Sequence, residues 1–228
     1  IIHVYSRRYM HDDPGYGRFF SLLSVLTWVL LCLVTSGHLL WLAIWWHGVT
    51  WLLRALLAFH ADHPAARRAG TTTLRVQSLG DAALLLAALA GYSSFGTFDL
   101  RSIFHSIEQT TSPAMLFPGT WAASTATDVM AVILVLAIMT KSAQFPLHVW
   151  LTGTIEAPTP VSAMLHAGIV NAGGFLVNRL APLFGAAPDT LHLLFIVGAV
   201  TALIGAASML TQPSIKRTLV YSTVGQMG

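Results

Sequence analysis

Charge is what this chain has least of. Asp, Glu, Lys and Arg make up only 9% of its 228 residues, against about 25% in soluble domains. So few charges cannot cover the surface of a soluble domain of this length. Cysteine is almost missing too. The single Cys32 excludes a disulfide framework and a zinc site built on cysteines, and in its apolar run it reads as a small hydrophobe. The net charge of +3 comes from 12 basic residues spread along the chain, with no basic patch for nucleic acid. No signal peptide is visible. The first residue is Ile1, and Val220 to Gly228 stop inside an apolar pattern, so an internal portion of a longer chain is expected.

What the chain has is hydrophobic length. Hydrophobic residues make up 55% of it, and a bilayer crossing takes about 20 of them in a row. Six stretches qualify, at 19–37, 39–59, 76–95, 124–150, 159–181 and 189–211, and a seventh begins near 214. Residues 19–53 and 190–215 contain no Asp, Glu, Lys or Arg. Ser36-Gly37-His38 is the expected turn within the first run. The expectation is an all-α polytopic membrane bundle, embedded in lipid.

Alternating the spans puts Arg7, Arg8, Arg18, Arg67, Arg68, Arg75, Lys216 and Arg217 on one side. Only Arg101 falls in a loop on the other, beside Asp99 and Glu108. The basic excess marks the cytoplasmic face. Arg54 and Arg179 lie near span ends and can snorkel. The outward loop 96–123 holds Pro113, Pro118 and Gly119, with a short amphipathic piece from Leu100 to Ile107.

Lys141 is the basic residue left over. It follows the uncharged run Val129 to Thr140, and Gln144 to Trp150 continue the segment beyond it. A lysine at that depth costs about 3 kcal/mol or more on insertion scales, which marks a functional site by default. The structural alternative is a lysine snorkelling from a helix end. Five residues on, Pro146 removes a backbone donor and its ring clashes with the Ser142 carbonyl, so the helix should break or kink there. Freed backbone groups at membrane depth survive only inside protein or along a wet cavity. A lysine beside a broken helix suits a proton or ion station.

The next span opens with Glu156-Ala157-Pro158-Thr159-Pro160. Thr159 is suited to N-cap it, with Pro160 in the first helical position. His166 lies about 10 Å into that helix and can exchange a proton near neutral pH, unless it is simply packed and hydrogen-bonded. Ala163, Ala167, Gly168, Ala172, Gly173 and Gly174 permit close helix packing. His47, in Trp45-Trp46-His47-Gly48, is either a second titratable site or a polar group satisfied by a partner helix. Asp81 and Asp128 are placed near the starts of their spans, Asp81 to pair with a cytoplasmic cation and Asp128 as a cap. His60 and His63 flank Asp62 in a loop, where exposure is the default. The ten histidines form no metal cluster. No phosphate loop, Ser/His/Asp constellation, flavin, iron–sulfur or nicotinamide motif is present, so no cofactor and no redox or hydrolytic centre is expected in this chain.

Two long motifs then carry a resemblance. Lys141-Ser-Ala-Gln-Phe-Pro-Leu-His-Val-Trp-Leu151 and Glu156-Ala-Pro-Thr-Pro-Val-Ser-Ala-Met-Leu-His166 resemble the antiporter-like membrane subunits of respiratory complex I and the Mrp antiporters. Ser214 to Arg217 with Tyr221 to Thr223, and His3 to Ser6 with Asp13 to Phe20, are similar to flanking segments of the same family. Ser6 to Tyr9, His63 to Ala66, His166 to Phe175 and Gln226 to Gly228 look like the DabB branch, the membrane subunit of the DAB inorganic-carbon system.

The resemblance implies a fragment of a longer inverted-repeat protein. Residues 1–18 precede the first complete span, 19–181 form a five-helix repeat, and 182–228 begin its inverted mate. It implies an ion-translocating subunit of the bacterial inner membrane, coupled to hydration of carbon dioxide by a soluble cytoplasmic DabA-like partner that holds zinc. Lys141 would be the central proton station, His166 its neighbour and Lys216 a station in the second half. Relatives carry a glutamate where this chain has His47, and a protonated histidine there would oppose the lysine cation. The alternatives are a NuoL-like subunit of proton-translocating NADH:quinone oxidoreductase and a Mrp-type cation/proton antiporter subunit, each with its own membrane partners.

Overall fold

The computed structural model describes the backbone of residues 1–111 and 121–228, and the side chains of these apart from 110, 111 and 121–126. Pro113, Pro118 and Gly119 of the long loop lie outside the described residues. Regular structure among the described residues is helical, with one isolated antiparallel bridge between His38 and Asp99.

A short helix α1 (Ile2–Tyr9) leads into α2 (Tyr16–Thr35). Phe19, Leu23, Leu26, Val29 and Leu33 bury one stripe of α2, at helical spacing. The opposite face exposes Val25, Trp28, Leu31 and Val34. A helix apolar all round is a membrane span. α3 (Leu39–Leu57) returns alongside after the expected turn at 36–38. Arg179 closes that turn by donating to the Ser36 carbonyl at 2.8 Å.

α4 runs Pro64–Phe95 and is 32 residues long, where a span of only 76–95 was expected. The polar stretch Arg67 to Arg75 hid its first three turns. Its length of about 48 Å exceeds a hydrocarbon core of about 30 Å, so the arginine-bearing end projects beyond the apolar layer. Consequently Asp81 sits in the middle of α4, not near its start. α5 (Leu100–Thr111) contains the expected amphipathic piece.

α6 (Trp121–Lys141) ends at Lys141 itself. The expected span 124–150 is therefore not one helix, and the break precedes Pro146 by several residues. Pro146 disfavours helix at the residue before it. The chain answers early: Ser142 still bonds to Ile138, but Gln144 reaches back five residues to the Met139 carbonyl at 2.9 Å, and Ala143 adopts φ 49°. Asp128 lies eight residues into α6 and is exposed, so it is no cap.

After the break come α7 (Val149–Thr152), a 3-10 turn at Gly153–Glu156, α8 (Thr159–Ala167), a second 3-10 turn at Ile169–Asn171, and α9 (Ala172–Arg179). The expected span 159–181 thus exists over Thr159–Arg179, interrupted at Gly168. Pro158 occupies the N-cap position and Thr159 is the first helical residue, with no side-chain cap bond. α10 (Ala181–Gly185), α11 (Pro188–Leu210) and α12 (Ile215–Met227) complete the chain, and Ser214 caps α12 by accepting from the Arg217 amide. α11 is inside out: Phe195 and Leu203 are over 70% exposed, while Thr190, Thr201 and Gly205 are buried. Only lipid or neighbouring protein makes such an arrangement stable.

Candidate functional site

The site forms where α3, α4 and α6 meet. Gly80 permits the approach of α4 and α6, because a Cβ there would overlap the Thr140 side chain and lie 3.2 Å from the Ala137 backbone. Asp81 and Lys141 each follow these contacts by one residue and so face each other.

Lys141 is 1% exposed. The snorkelling alternative is thereby excluded. Its ammonium donates to Thr50 Oγ1 at 2.7 Å, the Trp46 carbonyl at 3.1 Å, Gln77 Oε1 at 3.2 Å and Asp81 Oδ1 at 3.4 Å. It also lies 5.0 Å from the centroid of the Trp46 ring. Three N–H groups serve four acceptors, so one is shared. As the last residue of α6, Lys141 also adds a cation at the negative end of that helix dipole.

Asp81 supplies the counter-charge, and both of its oxygens are engaged. Oδ1 accepts from the Thr50 hydroxyl at 3.0 Å and from Lys141, and Oδ2 lies 2.9 Å from His47 Nδ1. The indole N–H of Trp51 points at His47 Nε2 at 2.8 Å. An indole nitrogen can only donate, so Nε2 accepts, and Nδ1 carries the proton it gives to Asp81. His47 is therefore a neutral donor here. The expected opposition between His47 and Lys141 does not arise, because Asp81 stands between them.

The carboxylate that faces Lys141 comes from α4, and α3 contributes His47 and Thr50 beside it. The His47 side chain is 51% exposed and that of Asp81 5%. Both line a groove of about 370 Å³ between α3 and α4, with Ala43, Ile44, Ser78 and Leu85. The chain His47–Asp81–Thr50–Lys141 thus runs from an open groove to a fully buried cation.

The broken segment is held from several sides. The Trp150 indole donates to the Thr140 carbonyl at 2.8 Å, satisfying one group freed at the end of α6. Ser142 donates to the Val170 carbonyl, Gln144 to the Met227 carbonyl, and the Phe145 amide to Thr201. Pro146 thus lies in a segment packed between α11, α12 and the 169–171 turn.

His166 is half-buried and pairs through Nδ1 with Thr223 on α12 at 2.8 Å. Among the described residues no hydrogen bond joins it to Lys141. Lys216 is exposed in the first turn of α12 and stands apart from the network. His60 is not free: its Nε2 is 2.9 Å from Asp13 Oδ2. That hydrogen bond, with another from the Gly15 amide, holds the Asp13 carboxyl below its usual range. No group of three or more metal-ligating side chains occurs among the described residues.

Reasoning from sequence missed Asp81, Thr50, Gln77 and Trp51 as members of the site. One available clue was the spacing Thr73, Gln77, Asp81, which lays polar residues along one face of α4 at every fourth position. The other was the need of a buried lysine for a counter-ion.

A multi-span helical bundle with a buried lysine–carboxylate pair at a helix break is an ion-transport membrane domain of the antiporter-like type. The chain belongs to the family described as NADH:quinone oxidoreductase/Mrp antiporter, transmembrane, whose profile matches residues 36–228. Residues 1–20 match the N-terminus of chain 5 of NADH-ubiquinone oxidoreductase (complex I). Over its whole length the chain is 46% identical to a probable inorganic carbon transporter subunit DabB1 of Halothiobacillus neapolitanus, of which it covers 40%. It is 40% identical to the chloroplastic NAD(P)H-quinone oxidoreductase subunit 5 of Ceratophyllum demersum, covering 30% of that protein. In three dimensions 99% of it superposes on 24% of a chain in the Mrp complex of a Dietzia species, with TM-score 0.88 and 31% identity. The chain therefore spans two fifths or less of these three relatives.

Proposed function

We propose that the chain is the ion-translocating portion of a DabB-like membrane subunit in an energy-coupled inorganic-carbon transporter of the bacterial inner membrane. The observation that carries this reading is the 46% identity to DabB1 along the full 228 residues. The His47–Asp81 pair supports it from the chemistry, since Asp81 keeps Lys141 paired although α3 carries His47 where relatives carry a glutamate. Residues 19–181 are then one repeat and 182–228 the start of its inverted mate. A soluble, zinc-holding, DabA-like subunit on the cytoplasmic side would perform the hydration, and this chain would supply the driving ion flow.

In this reading the relay works by exchanging charge. A proton reaching His47 Nε2 displaces the Trp51 N–H and makes an imidazolium. Its Nδ1 proton passes to Asp81 Oδ2, which becomes a neutral acid. The ammonium of Lys141 then loses its counter-charge, and charge balance favours release of its proton. His166 and Lys216 are assigned to the continuation toward α12.

Co-expression of the full-length subunit with its adjacent soluble partner should restore growth in ambient air to a carbonic-anhydrase-deficient bacterium. Absence of rescue at normal expression, with co-purification of quinone oxidoreductase subunits, would favour the NuoL-like alternative. The 40% identity to subunit 5 supports that second reading. Co-purification with antiporter subunits would favour the Mrp-type one, which the 0.88 superposition supports.

A further inference from the structure

Thr73, Gln77 and Asp81 lie four residues apart on α4, and the first two are completely buried. Each has a polar atom without a protein partner among the described residues: Oγ1 of Thr73 and Nε2 of Gln77. Buried threonines in helices commonly satisfy their hydroxyl on the carbonyl four residues back. Thr201, also fully buried, does so to Val197 at 2.7 Å, as does Thr50 to Trp46 at 3.5 Å. Thr73 does not. Gln77 uses its oxygen for Lys141 and Thr50, and its amide N–H₂ has no protein partner among the described residues.

Two neighbouring unpaired groups of this kind, one hydroxyl and one amide, are what a buried water needs for partners. The stripe spans about 12 Å from Asp81 to Thr73, in the direction of the end of α4 that carries Arg67 and Arg68. Beyond Thr73 the same buried face holds only Ala66, Ala69 and Gly70. Gly70 meets Ala58 of the chain end of α3, which makes a thin plug of small side chains.

We propose that Thr73 and Gln77 hold a short file of water that links Lys141 to the arginine-bearing side of the membrane. Lys141 then has two branches. One runs through Asp81 and His47 to the groove between α3 and α4. The other runs through Gln77 and Thr73 along the interior face of α4. This inference rests on Lys141 being a relay, and the test separates the two claims.

The test uses the full-length subunit with its partners, reconstituted in liposomes at matched protein levels, and reads proton flux and thiol labelling. Thr73→Val keeps the shape and removes the hydroxyl; it should lower flux by about ten-fold, the worth of one hydrogen bond in a transfer step. Thr73→Ser restores the hydroxyl and should return flux to near wild type. In a cysteine-free background, Thr73→Cys should react with a small cationic methanethiosulfonate from the side labelled at Arg68→Cys, much faster than Ala87→Cys on the same helix. Wild-type flux in Thr73→Val, or a Thr73→Cys as unreactive as Ala87→Cys, would overturn the water path even where Lys141→Ala abolishes flux. Full flux in Lys141→Ala would instead remove the relay reading, and this proposal with it.

Discussion

Replacing Asp81 by asparagine keeps the shape of the site and deletes the negative charge that faces Lys141. The lysine is 1% exposed and its ammonium lies 3.4 Å from the carboxylate. Removing one partner of a buried ion pair costs about 3–5 kcal/mol, because the other charge is stranded. Lys141→Met should cost less than Asp81→Asn. Asp81 would still accept from Thr50 and His47, and His47 can take up a proton to neutralise it. The double variant Asp81→Asn/Lys141→Met removes both charges. Its destabilisation should fall short of the sum of the single ones by about 2 kcal/mol, within the range of coupling between contacting residues. The assay is a double-mutant cycle on thermal unfolding of the purified full-length subunit, with proton flux recorded for every variant. All three variants should be inactive, so stability and transport separate in the double variant. Additivity within about 0.5 kcal/mol, or an Asp81→Asn that melts like wild type, would refute the pairing.

Gly80→Ala places a Cβ into Thr140 and the Ala137 backbone; overpacking of about 1–3 kcal/mol should appear as a lower melting temperature. His47→Ala should abolish flux while leaving the melting temperature close to wild type, since this side chain is half in the open; equal losses in both would show that His47 is structural. Cysteines at Arg68 and Ser94, both exposed near opposite ends of α4, should be labelled from opposite sides, Arg68→Cys from the cytoplasm; labelling from one side would undo the topology. The Asp13 carboxyl is held below its usual range by His60 and the Gly15 amide, so its contribution to folding stands at neutral pH and is lost as the pH falls through and below the ordinary carboxylate range. Proteolytic cutting at residues 11–15 should stay flat down to about pH 5 and rise in more acid solution; a profile that is flat throughout would show that the pair contributes nothing.

Hydrophobic length and loop charge were legible along the chain, because lipid imposes them locally. A span needs its own unbroken apolar run whatever it packs against, so 19–37, 39–59 and 189–211 were readable within a few residues, as was the turn at Ser36 to His38. A lone lysine after a long apolar run marked the site for the same reason. The start of α4 was not legible, since its first turns leave the apolar layer and carry the arginines of a loop. Nor was the length of the break before Pro146, which depends on bonds to Thr201, Val170 and Met227, all distant in sequence. The partner of Lys141 was decided only in three dimensions. Asp81 is 60 residues away and meets the lysine because Gly80 brings two helices into contact. An ion pair needs about 4 Å between its charges, and no pattern within one helix can specify a distance between two.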